Sequence, residues 1–245
     1  ARWIGNEETA RVVSPCGRVV MPFPVAEAEG LAPVSPGAGI PMNAVLPLLK
    51  PGALVYATKP GPILAQYMQE HGCIPIDFTQ SEAFTLRNAI PSAEGSIHAV
   101  MSRAGVCLSG SKCLVVGYGR LGRALALRLM GLRAQVYVAA RSPQARAQAE
   151  GDGCRALTME ELATPRGCRF VFNTVPVPVL GEAAFAALAP GALAVDVSSP
   201  PYGFALDTAQ AMGVGAWREP GLPGRYAPET AAEAMLSVIE EKDGA

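Results

Sequence analysis

The sequence predicts an α/β protein: a doubly wound parallel sheet preceded by a second, smaller α/β domain. Three observations support this fold. From Leu114 onward, short apolar segments alternate with segments of helical spacing, as in right-handed β-α-β crossovers. A glycine-rich turn follows the first of these apolar segments. The first ninety residues repeat the alternation more loosely and begin in mid-pattern, which predicts an N-terminally incomplete domain.

The segment from Lys112 to Leu129 carries the most informative motif. An apolar strand is followed by a G-x-G-x-x-G turn and then by an Ala/Leu-rich helix. In such a turn Gly117 permits the sharp bend, Gly119 lets a pyrophosphate approach the backbone, and Gly122 lets helix and strand pack closely. The sequence therefore predicts a dinucleotide site at a helix N-terminus; the alternative is a turn that only packs a strand on a helix. The predicted cofactor-binding residues of the turn are Gly117, Tyr118, Gly119, Arg120, Leu121 and Gly122.

The end of the second predicted strand, at 134–140, bears on the choice of cofactor. Sites for NAD usually carry Asp or Glu here to bind the ribose 2′-hydroxyl, whereas an Arg accommodates the 2′-phosphate of NADP. This strand ends in Arg141 and Ser142, which favours NADP, with Arg120 as a second phosphate contact. NAD stays the alternative, because a solvated Arg141 that only begins a helix selects nothing.

The remaining elements follow from apolar runs bounded by Gly, Pro or charged residues. We expect a substrate domain at 1–93, a connecting helix at 94–108, the dinucleotide-binding domain at 109–228 and a C-terminal helix at 229–245. Strands of the first domain are predicted at 18–21, 53–56 and 74–76, and its helices at 43–49 and 63–71. Strands of the second are predicted at 154–157, 170–173, 192–197 and 215–217, with helices at 144–150, 182–188 and 205–212.

Composition argues against several classes of protein. Half of the 245 residues are hydrophobic and the net charge is −1, so a sizeable core is expected and no basic patch marks a nucleic acid or an anionic membrane. No apolar run approaches the ~20 residues of a membrane span, and no export signal is recognisable. The six cysteines are scattered, which suits the cytoplasm. With only His71 and His98 besides, no metal site is predicted.

Four further segments carry a specific resemblance: NAIPSAEGS at 88–96, NTVP at 173–176, VDVSSP at 195–200 and PGLPGRYAPETA at 220–231. In this order, around the GYGRLG turn, they resemble the A subunit of dipicolinate synthase from about Val20 to the C-terminal helix. The resemblance implies NADP-dependent oxidation of a hydroxy-tetrahydrodipicolinate, a cyclic dicarboxylate imine, to dipicolinate. It also implies that the partner is a flavoprotein-like B subunit and that the location is the mother cell of a sporulating bacterium. By this resemblance we expect an opening βα unit of the family to be absent from this sequence, and Arg225 and Tyr226 stand where the family tends to be apolar.

The resemblance and the strand ends together suggest further cofactor contacts. Asn173 and Thr174 offer hydrogen bonds to the cofactor ribose, Asp196 and Ser198 end a strand near the nicotinamide, and the glycines of the PGLPG block suit a tight loop over it. Ordinary turns and a helix cap are the alternatives. The predicted cofactor-binding residues outside the glycine turn are Arg141, Ser142, Asn173, Thr174, Val175, Pro176, Asp196, Ser198, Gly221 and Pro223.

The predicted catalytic residues are Glu94, Ser92 and Asn88. A dicarboxylate needs donors, which Ser92, Asn88, Arg225 and the N–H groups of a helix beginning at Ala93 would supply. Glu94 is the acid–base candidate, because aromatisation removes ring protons and expels hydroxide as water. The alternative is that Ser92 and Glu94 merely open a helix.

Two other functions remain open from the residues. One is a dehydrogenase of the 2-hydroxyacid or shikimate type, disfavoured in its hydroxyacid form because no histidine follows His98. The other is a non-catalytic subunit that binds NADP and regulates a partner. Whether the chain forms a homo-oligomer is also left open.

Overall fold

The computed structural model of the protein describes residues 11–21, 31–35, 38–41, 46–58, 60 and 62–243. The chain divides into two compact units. The first comprises Ala1–Thr85 and Ser237–Ala245, and the second comprises Leu86–Leu236.

The first unit is built on a parallel sheet. The strands of this unit, in chain order, are β1 (Arg18–Val20), β2 (Leu31–Ser35), β3 (Ala38–Pro41), β4 (Leu54–Ala57) and β5 (Ile74–Asp77). β1, β4 and β5 are parallel and adjacent in that order, whereas β2 and β3 form a separate antiparallel pair. Helix α1 (Pro62–Glu70) connects β4 to β5, and α2 (Glu82–Met101) follows β5. Strands β1, β4 and β5 and helix α1 agree with prediction to within one residue.

Two features of the first unit differ from the prediction. The β2–β3 pair was missed, because its sequence is rich in Pro and Gly and shows no clear alternation. Of the helix predicted at 43–49, Leu46–Leu48 forms a short 3₁₀ helix, and the earlier part lies outside the described residues.

The second unit contains a six-stranded sheet in which every pairing is parallel. Its strands are β6 (Lys112–Val116), β7 (Gln135–Ala139), β8 (Arg155–Leu157), β9 (Phe170–Asn173), β10 (Leu193–Asp196) and β11 (Gly215–Arg218). Their order across the sheet is β11-β10-β9-β6-β7-β8. If the strands are numbered 1 to 6 from β6 and read from the β8 edge, this order is 3-2-1-4-5-6, which is the Rossmann order. In that fold, ligands bind at the carboxyl ends of the strands where the order reverses. The predicted doubly wound fold is thus confirmed.

Helices cover both faces of this sheet. They are α3 (Arg120–Gly131) and α4 (Pro143–Gly151) on one face, and α5 (Glu182–Ala186) and α6 (Leu206–Ala211) on the other. Two further helices, α7 (Leu222–Tyr226) and α8 (Pro228–Asp243), follow β11. Alternate residues of β6 enter different cores: Cys113 and Val115 join one cluster, Leu114 and Val116 the other. All four are at most 4% exposed, so the strand is buried on both faces, as a central parallel strand must be. Within the described ranges, no helix is long and apolar enough to cross a membrane.

Helix α2 begins earlier than the sequence predicts. The connecting helix expected at 94–108 instead runs over Glu82–Met101, with Pro91 in its interior. An interior proline removes one helical hydrogen bond and usually ends a helix, which is why the prediction began after it. Ala93 and Ile97 on the later turns are buried in the core of the second unit, and this burial stabilises the continuous helix. Consequently no helix begins at Ala93, and the prediction that free N–H groups there bind an anion is wrong.

The Pro-Gly-Leu-Pro-Gly block forms a short helix where a loop was predicted. Gly221 adopts the left-handed backbone with φ of 67°, and α7 begins directly after it with Pro223 in its first turn. Leu222 is 4% exposed and lies against Gly95 of α2. A Cβ at Gly95 would lie 3.0 Å from the Leu222 side chain, so this glycine permits the close approach of the two helices.

Candidate nucleotide-binding site

The three glycines of the turn after β6 occupy different environments. Gly117 has φ of +96°, and a Cβ there would lie 2.5 Å from Thr174 Oγ1. A Cβ at Gly122 would lie 2.1 Å from the Gly117 carbonyl oxygen. A side chain at Gly122 would displace the backbone, and one at Gly117 would adopt a strained backbone conformation and displace the Thr174 side chain. At Gly119, in contrast, a Cβ would meet nothing within 4 Å.

This contrast tests whether the turn fits a dinucleotide. Two of the glycines are required by the protein's own backbone, whereas at Gly119 the protein leaves open space, as expected where a pyrophosphate approaches. Gly119 is also the N-cap of α3 and supplies no capping side chain, while the N-cap of α4 does. The first N–H groups of α3 have no acceptors within their helix, and the helix dipole favours an anion beside them. The residues present therefore fit the diphosphate of a dinucleotide.

The predicted selectivity residues lie at the carboxyl end of β7, the strand next to β6. Arg141 and Ser142 are both exposed. Ser142 is the N-cap of α4 and accepts a hydrogen bond from the Ala145 N–H at 3.1 Å. Arg146 donates to the carbonyls of Ala140 and Arg141 at 2.9 and 2.8 Å, which fixes the backbone that carries the Arg141 side chain. The capping bond uses the Ser142 oxygen as an acceptor and leaves the hydroxyl proton unused.

The ends of β9 and β10 are tied together by a buried polar network. Asn173 is fully buried, and its side-chain amide donates to Asp196 Oδ1 and to the Val175 carbonyl, both at 2.9 Å. Asp196 is 1% exposed and also accepts from the Ser198 N–H at 3.0 Å and hydroxyl at 2.6 Å, and from the Gly203 N–H at 2.7 Å. A buried carboxylate with this many donors orders its surroundings.

This network changes the role of two predicted cofactor contacts. Asn173 and Asp196 present no accessible side chain to a ribose or a nicotinamide, so we reassign them from direct contact to positioning of the strand ends. The loop that follows β10 is packed tightly over the network, because a Cβ at Gly203 would lie 2.1 Å from Asn173 Nδ2. Thr174 donates from its hydroxyl to the Val116 carbonyl at 2.8 Å, which fixes the end of β9 beside the glycine turn. Ser198 and Val175 are partly exposed and Pro176 is exposed, so all three stay candidates for cofactor contact.

The predicted catalytic residues all lie on α2. The Glu94 side chain is 62% exposed and forms an ion pair with Arg128 Nε at 3.0 Å. Arg128 is in the third turn of α3, past the helix start where the diphosphate is expected. Met101 and Leu132 line one apolar pocket with this pair, so α2 and α3 run in the same direction. The structure thus gives Glu94 an exposed ion-pairing role toward the far end of α3, and the predicted acid–base role finds no support in its position.

Asn88 and Ser92 differ in what their side chains do. The Ser92 side chain is nearly buried, and its hydroxyl donates to the Asn88 carbonyl at 2.8 Å within the same helix. The Asn88 side-chain amide has no hydrogen-bond partner in the described part of the chain, and the residue is half-buried. Because α2 and α3 are parallel, Asn88 lies toward the end of α2 that is nearer the glycine turn. Of the two, Asn88 is therefore the one with donors left for a ligand.

Arg225, predicted as a carboxylate donor, already pairs with a carboxylate of the protein, and its side chain is 56% exposed. Its guanidinium pairs with the carboxylate of Glu219, which is 4% exposed. Glu219 also accepts a hydrogen bond from Trp217 Nε1 at 3.0 Å and lies 3.7 Å from Arg103. Sequence reasoning missed this buried glutamate, since a single Glu after a strand carries no motif. Arg225 compensates the charge of this buried carboxylate.

Comparisons with known proteins support a nicotinamide cofactor. Residues 87–200 match the family described as the D-isomer specific 2-hydroxyacid dehydrogenase, NAD binding domain. The predicted nicotinamide cofactor is confirmed at that level, and the choice between NAD and NADP stays a prediction.

The chain also resembles the A subunit of dipicolinate synthase. It is 29% identical to the protein of that name from Bacillus subtilis over 163 residues, which are 66% of this chain and 55% of the relative. The aligned part of the chain thus spans little more than half of the relative's length. Crystal structures of the same protein from Bacillus halodurans and Bacillus subtilis have TM-scores of 0.83 and 0.81 at 24% and 22% identity. The superpositions include 92% and 93% of this chain, and 79% and 78% of the Bacillus halodurans and Bacillus subtilis chains, respectively. These comparisons confirm the resemblance carried by the sequence motifs, and the structures confirm the fold.

Proposed function

We propose that the protein is an NADP-dependent oxidoreductase that converts 4-hydroxy-tetrahydrodipicolinate, or its dehydrated form, to dipicolinate. It would act with a flavoprotein-like B subunit in the mother cell of a sporulating bacterium. The observation that carries the proposal is the glycine turn with open space at Gly119, in a chain similar to the A subunit of dipicolinate synthase over most of its length. The substrate and the partner rest on that similarity.

The proposed reaction consists of a dehydration followed by a two-electron oxidation. Loss of the 4-hydroxyl group as water gives a dihydropyridine dicarboxylate. Loss of a hydride and a proton then gives the aromatic ring, NADPH and H⁺. The bound nicotinamide supplies the hydride acceptor.

The protein's own residues hold and orient the reactants. The first turn of α3 binds the diphosphate, with Gly119 leaving the space for it. Arg141 and Ser142 bind the 2′-phosphate through charge-assisted hydrogen bonds. Asn88 offers its amide to a substrate carboxylate. Holding the donor carbon and the acceptor together supplies much of the rate enhancement, since orientation converts a bimolecular step into a unimolecular one.

The test measures dipicolinate and NADPH together. The protein, with and without a B subunit, receives NADP and substrate generated in place by the upstream synthase. We expect the two products in equal amounts. Pyridine dicarboxylate formed without NADPH, or neither product from the complete pair of subunits, would contradict the assignment.

The two polar residues of α2 provide a matched comparison in this assay. Asn88→Ala removes an amide without a partner, so we expect the substrate KM to rise with little change in kcat, as for a group that binds ground and transition states alike. Ser92→Ala removes a hydroxyl bonded within its own helix, and we expect the KM to stay the same. Equal KM values in both variants would remove Asn88 from the substrate site.

A 2-hydroxyacid dehydrogenase is the second candidate, because the family match at 87–200 is to the NAD-binding domain of such enzymes. That match concerns the nucleotide domain only. Reduction of a 2-keto acid by NADH or NADPH in the absence of any dipicolinate activity would favour this candidate.

A further inference from the structure

The second residue of the glycine turn is anchored in the core of its own unit. Tyr118 is 7% exposed, and its hydroxyl donates to Asp152 Oδ2 at 2.8 Å. Burial and this hydrogen bond raise the pKa of the phenol, so it stays a protonated donor at neutral pH. The turn is therefore tied to a carboxylate 34 residues further along the chain.

A second side chain from the same region reaches the same carboxylate. Arg123, in the first turn of α3, donates from Nε to Asp152 Oδ2 at 2.7 Å and from Nη2 to Oδ1 at 3.2 Å. The Arg123 guanidinium and the Tyr118 hydroxyl lower the pKa of Asp152. The carboxylate is ionised at neutral pH and is bonded on both oxygens, which fixes its orientation.

Asp152 joins the glycine turn to α4, the helix whose other end lies at the proposed 2′-phosphate region. It is the C-cap of α4, and its N–H donates to the last carbonyls of that helix. The N-cap of α4 is Ser142, next to Arg141, where the 2′-phosphate is expected. The Asp152 side chain therefore links the helix behind the 2′-phosphate region to the turn that faces the diphosphate.

We propose that Asp152 is a positioning residue that holds the glycine turn, through Tyr118 and Arg123, in the conformation that binds the diphosphate of the cofactor. The inference rests on the proposed nucleotide-binding function. Glycine loses more backbone freedom on ordering than any other residue, and the turn contains three. A turn that is ordered before binding removes this entropy cost from the binding step. Neither Asp152 nor the Tyr118 hydroxyl needs to touch the cofactor for this effect.

A purely electrostatic role of Asp152 has the opposite consequence. Removal of a negative charge near a phosphate site, and release of Arg123 from its partner, would strengthen binding of the more highly charged NADPH. Loss of positioning instead weakens binding of NADPH and NADH alike, because both contain the same diphosphate. The sign of the change and its dependence on the 2′-phosphate therefore separate the two roles.

The experiment compares Asp152→Asn and Tyr118→Phe by fluorescence titration with NADPH and with NADH. We expect each variant to raise both dissociation constants by a common factor of roughly three to ten, the effect of one or two lost hydrogen bonds. The double variant should lose less than the product of the two factors, because both substitutions break one anchor. In the turnover assay the cofactor KM should rise with kcat unchanged.

The matched control is Glu150→Gln, which removes one exposed negative charge from the same end of α4. It should leave both dissociation constants unchanged. If Asp152→Asn does not fold, Tyr118→Phe decides the question, since it removes only the hydroxyl. Three results would overturn the positioning role, provided that the wild type binds both nucleotides. The variants could keep the wild-type dissociation constants, bind NADPH more tightly, or lose affinity for NADPH alone. A wild-type protein that binds neither nucleotide overturns the proposed function itself.

Discussion

Replacement of Gly119 by valine should abolish cofactor binding in a protein that still folds. The two outcomes separate at this position because the protein leaves space there: a Cβ would meet nothing within 4 Å. The backbone angles of Gly119, φ −82° and ψ −163°, are open to any L-residue, so the substitution adds no backbone strain. What the valine side chain would fill is the space through which the diphosphate approaches the helix start.

The magnitudes of the two effects differ widely. As an N-cap, valine lowers the free energy of unfolding by about 1 kcal/mol relative to glycine. Valine also restricts the unfolded chain, which offsets about half of that loss or more. We therefore expect the melting temperature to change by less than about 4 °C. Exclusion of the diphosphate removes at least two charge-assisted hydrogen bonds of about 1.5–3 kcal/mol each, which corresponds to at least about a hundredfold loss of affinity.

The assay combines NADPH titration with thermal denaturation of the unliganded protein. Gly131→Ala is the control, because Gly131 ends the same helix and a Cβ there also meets nothing within 4 Å. That variant should bind NADPH normally. If Gly119→Val binds NADPH as the wild type does, the diphosphate does not lie at this turn. If it fails to fold, the space beside Gly119 is not open.

Three further predictions concern neighbouring positions. Gly122→Ala should destabilise the protein by about 1–3 kcal/mol in chemical denaturation, because the added Cβ would lie 2.1 Å from the Gly117 carbonyl oxygen; unchanged stability would contradict the packing. Asp196→Asn places an NH₂ group opposite donors such as the Gly203 N–H and should cost about 2 kcal/mol or more, with a wild-type melting temperature as the contrary result. Arg141→Asp should shift the preference from NADP toward NAD, measured as the ratio of the two affinities, and an unchanged ratio would exclude Arg141 as the selector.

Local patterns were sufficient for the parts of the site that belong to one segment. The G-x-G-x-x-G turn was located from sequence because its glycines are required by contacts within a single strand-turn-helix unit, such as the contact between Gly122 and Gly117. Ser142 was found for a similar reason, since it lies where a strand ends and a helix starts. Pro91 shows where local rules fail: a residue that usually ends a helix lies inside α2, because burial of the turns beyond it outweighs the local preference.

The sequence by itself determined the Rossmann fold, the parallel sheet implied by β-α-β alternation and the position of the dinucleotide turn, because periodicity and glycine placement are properties of consecutive residues. Only the tertiary structure decided which polar side chains are available to a ligand. Asp196 and Asn173 prove to be bound to each other, and Glu94 to Arg128, through contacts between residues 23 and 34 positions apart. Asp152 has no motif and became visible only as the shared partner of Tyr118 and Arg123. Partners of this kind are brought together by packing, and no local pattern encodes them.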